Sequence, residues 1–166
     1  MAMQESHTIN APIDQVLEAF SSEDFARHVA QKAGVGFESL SVDGDRSSAF
    51  TVTTVRSVGA DKVPSIAQKF VGNGVKLTQV DEFSAPQGDG SRTVETTIDV
   101  SGMPVSATAH QSLTSKGETT VVDVKGEVKA NIPLVGKKIS AAAEPYIGKA
   151  LSLQSTTAEA WIKDHN

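Results

Sequence analysis

Apolar residues along this chain follow two rhythms, and the change from one to the other divides it. After a short mixed strand over residues 4–9, Ile13, Val16, Leu17 and Phe20 recur at helical spacing. Pro12 suits the first turn of that helix, where a backbone N–H has no partner to lose. Ser21-Ser22-Glu23-Asp24 reads as a capping box opening a second short helix, which carries Phe25 and Val29 and ends at Gly34 and Gly36. From Phe37 onward the rhythm is alternation. It predicts strands over 37–42, 49–58, 75–83, 92–100, 105–114 and 119–130, rich in Val and Thr.

The connections between these strands are short. Asp43-Gly44-Asp45 predicts a hairpin turn, and Gly102-Met103-Pro104 and Ser115-Lys116-Gly117 are equally tight. Short links require antiparallel neighbours, because parallel pairing needs a long crossover. Val94, Thr96, Ile98 and Val100 share one face, while Thr93, Glu95, Thr97 and Asp99 share the other. Strands of this length coil into a trough. The cover for its dry face is a closing helix over 137–164, with Ile139, Ala143, Tyr146, Ala150, Leu153, Thr157 and Trp161 on one stripe. Pro145 lies inside that helix and predicts a kink. Residues 64–71 interrupt the meander and predict a short helix bearing Ile66, Phe70 and Val71, read either as a lid over the trough or as a connector completing the core.

Composition narrows the classes. Hydrophobic residues are 39% and charged residues 21%, an ordinary globular balance, and no linker or repeat divides residues 1–166, which read as one domain. Aromatics are only 5%, so Val, Ile, Leu and Ala must fill the interior or leave it partly unfilled. The absence of cysteine excludes disulfides and thiolate chemistry. A net charge of −5 with scattered basic residues argues against nucleic acid as a partner. No stretch approaches the roughly 20 apolar residues of a membrane helix, and no secretory signal is visible, so cytoplasmic is the expected location. Oligomeric state is not legible.

Several short motifs carry a resemblance: Phe70-Val71-Gly72, Gly102-Met103-Pro104-Val105, Gly126-Glu127-Val128, Ile132-Pro133-Leu134-Val135-Gly136, Ala142-Ala143-Glu144-Pro145 and Glu159-Ala160-Trp161. With the order of elements they make the chain similar to the START-like (SRPBCC) superfamily, and more specifically to an actinobacterial family, the domain of unknown function 2505. The resemblance implies an α+β helix-grip (START/Bet v 1-like) fold. In it a curved antiparallel sheet of about seven strands wraps a long C-terminal helix, with two short helices after strand 1. It also implies an interior space in which superfamily members hold lipids, sterols, polyketides or other hydrophobic molecules.

Candidate site residues follow from the expected dry face. Phe70, Ile98, Ala107, Ala109, Gln111, Val124, Gly126, Tyr146, Ala150 and Leu153 are expected to line a cavity for a small hydrophobic ligand. The small residues among them are equally consistent with close helix–sheet packing. Gln79 and Gln111 fall on the dry face, where an amide needs a partner. No hydrolase elbow, phosphate loop or dinucleotide fingerprint is present, and His7, His28, His110 and His165 lack metal-ligand spacing. No catalytic residue, metal or cofactor is assigned. The competing reading is an interaction module with a packed core, working through an apolar surface around Leu134 and Val135 or along the outer side of the final helix.

Overall fold

Alternation along the strands translates directly into burial. Among the described residues, 2–165 of this computed structural model, Val94, Thr96 and Ile98 are buried while Glu95 and Asp99 are exposed, and Val122, Val124 and Val128 are buried against exposed Asp123, Lys125 and Glu127. The strands are β1 (Ala2–Ile9), β2 (Gly36–Gly44), β3 (Phe50–Gly59), β4 (Gly74–Phe83), β5 (Arg92–Val100), β6 (Val105–Ser115) and β7 (Thr120–Ala130). They form one antiparallel sheet in the order β1-β7-β6-β5-β4-β3-β2, so the first strand closes beside the last. The helices are α1 (Ile13–Phe20), α2 (Glu23–Ala33), α3 (Gln68–Val71) and α4 (Gly136–His165). No helix among the described residues is long and apolar enough to cross a membrane.

Local chemistry sets the boundaries. The Ser22 hydroxyl accepts from the Phe25 N–H to cap α2, and Gly34 ends it at φ 73°, a conformation glycine adopts without strain. The β2–β3 turn lies beyond the expected Asp43-Gly44-Asp45. Gly44 is still the last residue of β2, and the reversal is made by residues 45–49, where the Asp45 carboxylate accepts from the Ser47 N–H and hydroxyl. Aspartate wins because its side chain supplies the turn's hydrogen bonds.

The closing helix departs from its expected orientation. After Gly136 its buried positions are Ile139, Glu144, Gly148, Leu151, Ser155, Thr157, Ala158 and Ile162, so most of the stripe is turned by about one residue, or roughly 100°. Tyr146, expected on the inner stripe, is 54% exposed. The helix continues through Pro145, which is exposed. The reason for the rotation is steric. Small residues at 148, 155 and 158 let α4 lie closely on β1 and β7, its main contacts in the sheet.

Two apolar clusters result. One gathers Phe20, Phe25, Leu113, Val122, Val124 and Ile162, with the Phe50 and Phe83 rings stacked at 4.4 Å. The other joins Met3, Ile98, Ala107, Val128 and Ile139. Residues 60–71 fold as two short 3₁₀ turns followed by α3. Ala67 of this segment is buried in the second cluster with Val63 and Ile66 packed against it, while Phe70 is 41% exposed beneath the Lys69 ammonium. Ile132 and Val135 pack on the same cluster. Leu134 between them is fully exposed and holds φ at 72°.

The glycines of β7 and α4 make a paired prediction. A Cβ at Gly126 would stand 2.5 Å from the Thr108 carbonyl oxygen and 2.9 Å from the Ala109 Cβ, whereas one at Gly148 would meet nothing nearer than 3.7 Å. Gly126→Ala is expected to destabilise the protein by about 1–3 kcal/mol. Gly148→Ala is expected to be neutral or to stabilise it by up to about 1 kcal/mol through helix propensity. Urea denaturation of the two variants checks both signs.

Candidate functional site

Because α4 rests over β1 and β7, the opposite half of the trough is left open. A cavity of about 620 Å³ lies there, between the C-terminal half of α2, the strands β3, β4 and β5, and the outer flank of α4. That volume is well inside the roughly 300–1,000 Å³ of small-molecule sites. Its walls are largely apolar, with Ala30, Val58, Leu77, Ile98, Ile147 and Leu153 contributing. At the rim stand the exposed residues Tyr146, Lys149 and Ala150 from α4 and Lys62 from the segment after β3.

The polar part of the cavity comes from the inner face of the sheet. Arg56 of β3 and Gln79 of β4 both line it, and Arg56 Nη1 donates to Gln79 Oε1 at 2.9 Å. Gln79 Nε2 in turn donates to both carboxylate oxygens of Asp81, at 3.2 and 2.9 Å. The Thr96 hydroxyl donates to Asp81 Oδ1 at 2.6 Å and accepts from Gln111 Nε2 at 2.8 Å. A relay thus runs across four strands, with Gln79, Asp81, Thr96 and Gln111 all buried. Asp81 does not border the large cavity. It lines an adjoining space of about 20 Å³, beside Thr54 and sharing Val29, Arg56, Gln79 and Gln154 with the cavity, which is room for a single water.

Burial dominates the electrostatics. It pushes the Asp81 carboxyl above its ordinary 3.8, against the hydrogen bonds from Thr96 and Gln79 and the charge of Arg56. It lowers Arg56 from its ordinary value, with the Asp81 charge opposing, and a guanidinium so placed stays protonated.

A family model described as "Protein of unknown function (DUF2505)" matches residues 4–162. The chain belongs to this family. Among solved structures, a START superfamily protein from Mycobacterium smegmatis is 10% identical, with 99% of each chain covered and a TM-score of 0.57. The Zhui aromatase/cyclase from Streptomyces sp. R1128 is 9% identical over 98% of this chain and 93% of its own, with a TM-score of 0.60. A norcoclaurine synthase point mutant from Thalictrum flavum, in complex with a transition-state analogue, is 15% identical over 99% and 95%, with a TM-score of 0.52. No curated protein matches the chain. These likenesses establish the fold: this DUF2505 chain has the helix-grip architecture of the START superfamily.

The ten residues expected to line a cavity are divided by that architecture. Ile98, Tyr146, Ala150 and Leu153 border it. Ala107, Ala109, Val124 and Gly126 lie instead in the packed half, where β6 and β7 meet α4 and β1. Gln111 ends the polar relay away from the cavity, and Phe70 stands outside it. Arg56, Lys62 and Asp81 belong to the site region but were not singled out by sequence reasoning. For Asp81 the signal was present, since alternation puts it on the face of Gln79 and Phe83.

The position of Asp81 predicts a pH dependence. The native state holds its proton more tightly than the unfolded chain, so its contribution to stability falls as pH rises from 3.8 through the raised native value. Asp81→Asn carries no charge at any pH. Wild type is therefore expected to gain stability relative to this variant as the pH is lowered from about 7 to about 4. Urea midpoints of both proteins across that interval test it, and a constant difference would contradict the assignment.

Proposed function

We propose that this protein binds a small, largely apolar molecule in the cavity between α2, β3–β5 and α4. The observation that carries this reading is the cavity itself, about 620 Å³ with walls such as Val58, Leu77, Ile98 and Leu153. Protein interiors are ordinarily packed to near-crystalline density, so a space of this size is a feature that the sequence sustains. The names of two structural neighbours agree with small-molecule work in such a space. One is an aromatase/cyclase, and the other was captured with a transition-state analogue. The reading is a lipid-like or other hydrophobic ligand, enclosed by aliphatic side chains and oriented by Arg56 and Gln79 in place of the expected Gln111.

The alternative of a packed interaction module rests on a filled interior and an exposed apolar group. In the apolar segment around Leu134, that residue alone is fully exposed, while Ile132 and Val135 are packed against the core. The cavity therefore favours the binding reading.

Nile red, a neutral dye that brightens in apolar surroundings, is the first probe. Saturable fluorescence enhancement is expected with wild type, alongside a co-purifying mass in native mass spectrometry. Ala150 is exposed at the rim, so Ala150→Trp introduces an indole there without disturbing the core. This variant should weaken Nile red by about tenfold or more, with unchanged thermal stability. Absence of dye binding together with a clean apo mass would overturn the proposal.

A further inference from the structure

The geometry points to a more specific ligand, an amphipathic anion whose apolar body fills the cavity and whose carboxylate pairs with Arg56. This deepens the binding reading above and rests on it. The charge inventory of the cavity is one-sided. Among the described residues that line it, the charged ones are Arg56, Lys62 and Lys149, and no carboxylate is present. The chain as a whole runs the other way, with 20 acidic against 15 basic residues. A site for a neutral hydrophobe has no need of three cations.

Arg56 is the decisive group. Its Nη1 is committed to Gln79, and among the described residues its Nε and Nη2 have no protein partner. Those two nitrogens form one edge of the guanidinium fork, the edge that a carboxylate bridges with two parallel hydrogen bonds. Asp81 does not serve as that partner. Gln79 stands between the two charges, accepting from Arg56 and donating to Asp81, and the Asp81 oxygens are further engaged by Thr96. A partly desolvated cation beside an apolar cavity gains most from an anion delivered within the ligand. Lys62 and Lys149 at the rim add a positive field that draws anions towards the entrance. The Lys62 ammonium end lies against the end of α2, 3.2 Å from where a Gly34 Cβ would stand. A phosphate dianion fits less well, since one fork edge amid aliphatic walls leaves most of its oxygens unsatisfied.

Matched pairs of probes test this: dodecanoate against dodecanol, and naphthoate against naphthol, each competing with Nile red. Wild type is expected to prefer both acids over their alcohols by about tenfold or more, the size of a charge-assisted hydrogen bond. Arg56→Gln should abolish that preference, bringing each acid down to the level of its own alcohol in the same variant, and Arg56→Lys should retain part of it. The wild-type ratio does not depend on any variant folding. Lys62→Gln with Lys149→Gln, both exposed, should weaken the acids about two- to threefold and reduce their salt dependence. If Nile red and the alcohols bind as tightly as the acids, the anion inference is overturned and the cavity-binding reading stands. If neither dye nor any probe binds wild type, the binding reading itself fails.

Discussion

Gly126 has no space for a side chain, because the Thr108 carbonyl, Ala109 and Met3 close over the position where one would project. That contact draws β6, β7 and β1 together, and α4 rests on two of these strands. With Gly148, Ser155 and Ala158 on its inner side, the helix lies on β1 and β7 at close range, and dispersion contacts along this seam reward the approach. A helix drawn to one side of a curved sheet cannot also fill the other side. The cavity is the geometric complement of the tight seam. Small residues therefore do both things the sequence left open. They remove space on one side of the trough, and in doing so they preserve it on the other.

The polar relay gives the open side its chemical character. Arginine and aspartate on the inner face of a sheet are expensive, and this structure keeps both by inserting Gln79 between them and closing the far end with Thr96 and Gln111. Gln79 uses both ends of its amide and the Thr96 hydroxyl both donates and accepts, so the relay is fixed in orientation. The guanidinium is thereby held at the cavity surface with one edge towards Gln79 and another available. The relay also spans β3 to β6, tying together the strands that face the cavity. Its members are as important to the shape of the empty space as to its charge.

Much of the fold was legible because alternation and turn chemistry are local. Val94, Thr96 and Ile98 declare a dry face whatever lies opposite, and Gly34 ends a helix through its own backbone freedom. The errors arose where two elements had to be matched. Tyr146, Ala150 and Leu153 form a plausible inner stripe when apolar size is the criterion, yet Gly148, Ser155 and Ala158 are what the sheet accepts. Arg56 escaped notice because a charged residue near the end of a strand is normally a solvated one.

The sequence by itself determined the strands, the two opening helices, the long closing helix and the face each strand turns inward. These depend on periodicities of two and 3.6 residues, capping groups and turn residues, all read within a few positions. Only the tertiary structure decided where α4 rests, and so whether Ala107, Ala109 and Gly126 would line a cavity or a seam. It also decided that Arg56 and Asp81, on different strands, would meet through Gln79. Both outcomes depend on the lateral offset of a helix against a sheet and on the register between strands. Those are properties of two surfaces brought together, which no single stretch of chain contains.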